Sequence, residues 1–81
     1  MYFVYVLRSE KYPKQHYYGF TTNVTLRLES HNAGQVPSTV RLRPWKLLAY
    51  TAFPDKGMAL RFEAYLKSGS GRAFAKKHFE S

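Results

Sequence analysis

The sequence predicts an α+β fold: a three-stranded, mainly antiparallel sheet flanked by helices, in the order β-β-α-β-α-α. Three observations carry this. Residues 2–8 are apolar on both faces, with Tyr2, Val4 and Val6 on one and Phe3, Tyr5 and Leu7 on the other, which suits a central strand covered on both sides. Val24, Arg27, Leu28 and His31 follow helical spacing, as do Ala59, Phe62, Glu63 and Leu66. Two further strand-like runs, 16–20 and 45–53, are set off by turn and cap residues.

Taken in order, Ser9 to Gln15 is polar and contains Pro13, so it reads as a hairpin connection. His16 to Phe20 is the second strand, with Gly19 near its end. Thr21-Thr22-Asn23 supplies N-cap chemistry for a helix over 24–33, stopped around Asn32-Ala33-Gly34. Residues 35–44 read as a polar loop with two prolines and two arginines. Trp45 to Phe53 is the third strand and Pro54 closes it. Asp55 caps a helix over 56–67, Ser68-Gly69-Ser70-Gly71 breaks it, and a short basic helix runs from Arg72 to Phe79. No repeat or low-complexity tract interrupts the chain, which reads as a single domain over 1–81.

The chain has no cysteine, so a disulfide framework and a Cys-based zinc site are excluded, and a reducing cytoplasm is the expected setting. The apolar start, Met1 to Leu7, is far too short to span a membrane and lacks a basic leader region. Thirteen Lys and Arg against five Asp and Glu give a net charge of +8. That excess points to a polyanionic partner, most simply nucleic acid, with an anionic membrane surface second.

The two helical stripes carry a second message. Arg27, His31 and Glu63 stand where a thin core needs apolar side chains. An unpaired buried charge costs several kcal/mol, about the whole net stability of a small domain. Sequences break the apolar pattern mainly at functional or strained sites. These three residues are therefore site candidates in their own right.

Two short strings then bring in a family. Phe3-Val4-Tyr5 in the first strand and Tyr17-Tyr18-Gly19 in the second are placed like the paired motifs of the GIY-YIG endonuclease superfamily. Thr21, Arg27 with His31 four residues on, Glu63, Pro44-Trp45-Lys46-Leu47 and Tyr65 to Arg72 extend the match. The sequence resembles the short, single-domain bacterial branch, itself similar to the nuclease domain of the excision-repair C subunit. Phe3 replaces the glycine of the first motif, Tyr18 replaces a β-branched aliphatic in the second, and the family's later asparagine has no counterpart in the tail.

The resemblance implies a GIY-YIG-like fold and a metal-dependent endonuclease that hydrolyses DNA phosphodiester bonds in repair or recombination. Tyr5, Tyr17, Arg27, His31 and Glu63 are its implied catalytic set. Glu63 would hold one Mg²⁺ or Mn²⁺, an ion that takes one or two protein carboxylates and keeps several waters. No second carboxylate has comparable placement, since Glu10 lies in a turn and Asp55 is a cap. Arg27 would neutralise a phosphate oxygen. Tyr5, ahead of Tyr17, would position or deprotonate the attacking water, its phenol lowered by Arg27 and the metal, with His31 assisting.

Each residue also has a plainer reading. Glu63 can be a rim carboxylate paired with Arg61 or Lys67, and Arg27 can pair with Glu63 or a helix end. His31 can be structural, and the tyrosines can be core aromatics. Arg41, Arg43, Lys46, Lys67, Arg72, Lys76 and Lys77 are candidates to track a nucleic-acid backbone. Ser68 to Arg72 lacks the pattern of a P-loop and is at most a secondary phosphate clamp. The alternative function is a non-catalytic DNA- or RNA-binding module of the same fold. A third is an interaction domain whose targeting is supplied by a protein partner.

Overall fold

The computed structural model of the chain describes residues 1–80. The elements are β1 (Tyr2–Ser9), β2 (His16–Thr21), α1 (Val24–Asn32), a 3-10 turn (Val40–Leu42), β3 (Trp45–Phe53), α2 (Lys56–Leu66) and α3 (Gly69–His78). The sheet has the order β2-β1-β3 with both pairings antiparallel. The expected architecture and element order are observed. No helix among the described residues is long and apolar enough to cross a membrane.

The strand with two apolar faces takes the centre because each face has its own core to join. On one side Val4 packs with Ala59 and Leu66 of α2 and Ala75 of α3. On the other, Tyr5, Leu7 and Trp45 pack with Val24 and Leu28 of α1. A bulge decides the second core. Tyr5 pairs with Tyr50 and Leu7 with Leu47, so β3 carries one extra residue between them. Side chains alternate along a strand, so only this insertion brings Tyr50, Leu47 and Trp45 to the same face as Tyr5.

Cap residues set the helix starts as expected. The side chains of Asn23 and Asp55 accept from the amides of Leu26 and Gly57. Two expectations are corrected. The Ser68 to Gly71 segment is not a four-residue break, because α3 already begins at Gly69 with Ser68 as its cap. Glycine's poor helix propensity is outweighed there by close packing. A side chain on Gly71 would overlap the backbone of Tyr65 and Leu66, so only glycine lets α3 turn this tightly off α2. The 35–44 segment is not simply a solvated loop either: Val36 and Thr39 are buried, and the 3-10 turn follows them.

Candidate active site

Four side chains from three segments form one hydrogen-bonded row. The Nε–H of Arg27 donates to the Tyr5 hydroxyl at 3.3 Å. That hydroxyl lies 2.9 Å from His31 Nε2. His31 Nδ1 lies 2.7 Å from Thr39 Oγ1, which donates to the carbonyl of Val36 at 3.3 Å. One assignment of protons satisfies every donor and acceptor in the row. The Thr39 hydrogen is spent on Val36, so its oxygen accepts from His31 Nδ1–H. A neutral imidazole then offers the Nε2 lone pair to the Tyr5 hydroxyl, whose oxygen accepts from Arg27.

Local structure explains the convergence. Arg27 and His31 are one turn apart on α1 and point at the same face of the sheet. Tyr5 sits opposite Gly19 in the β1–β2 register. A Cβ on Gly19 would overlap the Tyr5 ring and hydroxyl, so the glycine is what lets the phenol cross β2 toward α1. Tyr17 closes the row from β2, its ring centroid 5.0 Å from His31 and 6.2 Å from Tyr5.

The electrostatics follow from burial. Tyr5 and His31 are 1% and 0% exposed. The Tyr5 phenol is raised, first by burial, with the Tyr17 and Glu63 charges adding and Arg27 opposing. Arg27 alone pulls the phenol toward ionisation, as expected of it, and desolvation outweighs that pull. The imidazole of His31 is lowered from its ordinary 6.5, first by burial and then by the Arg27 charge, so it is neutral at pH 7. Arg27 is held more firmly charged by its bond to Tyr5.

Glu63 lies on α2 at the margin of this row. Its side chain is 21% exposed and pairs with Lys67 at 3.6 Å, as the plainer sequence reading allowed; its partner is not Arg27. Lys67 Nζ is in turn 6.0 Å from the Tyr17 ring centroid, which ties Glu63 to the aromatic side of the site. Among the described residues no three His, Asp or Glu side chains converge on one point. A lone, partly solvated carboxylate fits a hydrated Mg²⁺ or Mn²⁺, which keeps most of its waters, and does not fit an all-protein cage.

The basic candidates divide. Lys67, Arg72 and Lys76 line a cavity of about 410 Å³ together with Lys14. Arg41 lines a separate cavity of about 420 Å³ with Tyr12, Ser38 and Leu42. Arg43, Lys46 and Lys77 are exposed. The Ser68 hydroxyl serves as a cap for the Gly71 amide, so that part of the suggested phosphate clamp is occupied internally.

Sequence reasoning missed the support of His31. Thr39 is 2% exposed and holds Nδ1, and its carbonyl accepts from Trp45 Nε1 at 3.0 Å. Asn32 clamps the Trp45 backbone, accepting from its amide at 2.6 Å and donating to its carbonyl at 3.0 Å. The only hint was a threonine beside Val40 in a segment with no periodicity. His16, at the start of β2, faces Glu80 at 3.6 Å.

Tyr5 of the first string and Gly19 of the second are paired across the sheet. The GIY-YIG catalytic domain model matches residues 1–78. The chain belongs to the GIY-YIG family. This GIY-YIG chain is 39% identical over 72 residues to the structure-specific endonuclease subunit SLX1 of Meyerozyma guilliermondii, covering 82% of this chain and 24% of that one. It spans a quarter or less of the length of the SLX1 relatives it matches. A UPF0213 protein of Streptococcus agalactiae is 41% identical over 66 residues, covering 76% of this chain and 75% of its own. The solution NMR structure of the UPF0213 protein BH0048 from Bacillus halodurans superposes with a TM-score of 0.56 at 34% identity, covering 95% of this chain and 82% of that one.

Proposed function

We propose that this GIY-YIG domain is a metal-dependent endonuclease that hydrolyses DNA phosphodiester bonds. One observation carries the reading: the Tyr5 hydroxyl is held between a fixed cation, Arg27, and a neutral base, His31. A structural hydrogen bond needs neither. Hydrolysis of a phosphate ester needs both, because negative charge grows on the phosphoryl oxygens while the attacking water must lose a proton.

Arg27 binds a non-bridging oxygen of the phosphate. Water approaches the phosphorus beside Tyr5 and passes a proton to its oxygen as the Tyr5 proton moves to His31 Nε2. The P–O3′ bond breaks as the new P–O bond forms, and the 3′ oxygen is protonated by solvent. The substrate charge on Arg27 offsets the repulsion that otherwise disfavours a protonated His31. Thr39 accepts from Nδ1–H throughout, so Nε2 faces Tyr5 before and after transfer. Glu63 is the residue that would hold Mg²⁺ or Mn²⁺, whose charge would neutralise the leaving oxygen.

Relatives named structure-specific endonuclease subunits support work on irregular DNA, and with it a role in repair or recombination. That these relatives are named subunits also supports a protein partner that supplies targeting. The test is nicking of supercoiled plasmid and cleavage of branched DNA with Mg²⁺ or Mn²⁺. Cleavage by the wild type that is lost in both Arg27→Ala and Glu63→Ala is expected. Equal cleavage by wild type and Glu63→Ala overturns the assigned metal ligand, and metal-independent binding without any cleavage favours the non-catalytic module.

A further inference from the structure

The cavity of about 410 Å³ between β2 and the α2–α3 corner is cationic, with Lys14, Lys67, Arg72 and Lys76 in its lining. Among the described residues, Lys14, Arg72 and Lys76 have no carboxylate within 4 Å, and Lys67 is shared with Glu63. One acid enters the cavity. Glu80 accepts a hydrogen bond from the Tyr18 hydroxyl and lies 3.6 Å from His16 Nδ1. Tyr18 is the residue that departs from the second motif, and it points away from Tyr5 into the core beneath α2 and α3. Its phenol is raised, first by burial and then by Glu80, so it is a stable hydroxyl donor.

The balance of charge is uneven. Four cationic side chains surround a single carboxylate, and the groups that hold that carboxylate are a phenol and a histidine. A phosphate group offers more charge and more acceptor oxygens to the same donors. Lys67 also lies 6.0 Å from the centroid of the Tyr17 ring, so the cavity and the margin of the candidate active site share a cationic side chain.

We propose that this cavity is a phosphate-binding subsite for a nucleic-acid strand, in which the Glu80 carboxylate occupies the place of the phosphate until the strand displaces it. The proposal rests on the nuclease reading only for the source of the phosphate. Binding is therefore measured without divalent metal, so that a failure of cleavage and a failure of the subsite are separate results.

The experiment compares wild type, Glu80→Gln and Glu10→Gln by fluorescence anisotropy on a short labelled single-stranded DNA, with and without a 5′ phosphate. Glutamine at 80 keeps an acceptor for the Tyr18 hydroxyl and removes the charge. Glu10→Gln makes the same change in net charge in the exposed β1–β2 turn. Glu80→Gln is expected to bind about fivefold tighter, while Glu10→Gln shifts binding by less than about twofold. A gain on both DNAs assigns the subsite to backbone phosphates, and a gain confined to the phosphorylated DNA assigns it to a terminal phosphate. Equal shifts in the two variants, or weaker binding by Glu80→Gln with an unchanged melting temperature, overturn the proposal. Inorganic phosphate titrated into wild type should move the NMR signals of Tyr18 and His16; signals that stay fixed overturn it as well.

Discussion

The Tyr5 hydroxyl sits 2.9 Å from His31 Nε2, with the other imidazole nitrogen committed to Thr39. This pair turns a buried histidine from a packing oddity into an oriented base. Burial lowers the imidazole and raises the phenol, so in this row His31 is placed to accept a proton and Tyr5 to relay one.

Thr39 should act through His31. Thr39→Val keeps the shape and leaves the buried Nδ1–H without its acceptor, which costs about 1–3 kcal/mol. It also frees the imidazole to adopt the other tautomer, so the cleavage rate should fall by about tenfold. Thr39→Ser should restore most of both. Urea unfolding and single-turnover cleavage check this, and a Val variant with wild-type rate contradicts it.

The pH dependence follows from the direction of the His31 shift. Its folded value lies below the ordinary 6.5, so between the two values the unfolded chain binds more protons. Stability from this group is complete above about pH 6.5 and is lost as pH falls toward the folded value. His31→Gln should flatten that slope in urea midpoints measured at about pH 7.5 and about pH 5. The cleavage rate should fall in the same acidic window, because protonated His31 accepts nothing.

Gly19→Ala should be costly although the change is one methyl group. The added carbon overlaps the Tyr5 ring, and overpacking of this kind costs about 1–3 kcal/mol. The displaced phenol should also lose its bond to His31. The checks are a lower melting temperature together with a loss of cleavage that saturating metal does not rescue.

Glu63→Gln should separate activity from stability. Its one ion pair, to half-exposed Lys67, is of the class worth about 0–1 kcal/mol, so folding should change little. Cleavage supported by Mg²⁺ or Mn²⁺ should be lost, as it should be for wild type in chelator. Plasmid nicking beside a urea titration reads both.

Much of this was written in local pattern. The doubly apolar run 2–8 required a central strand, the caps Asn23 and Asp55 placed two helices, and Arg27, His31 and Glu63 stood out because charge and imidazole do not belong on core stripes. Those signals are legible because period and capping are properties of adjacent residues. The Ser68 to Gly71 turn was misread because the reason for Gly71 lies on another helix, in the backbone of Tyr65 and Leu66.

What only the tertiary structure decided is which groups meet. Thr39 reaches His31 across eight residues without periodicity, and Glu80 reaches Tyr18 across 62. The β3 bulge puts Trp45 on the face of Tyr5, and no local preference announces it. The sequence determined the inventory and the faces of β1 and the helices, because burial selects side chains one at a time. The order of the hydrogen bonds, and with it the direction of proton movement, came from chain closure, since a donor finds its acceptor only when distant segments pack.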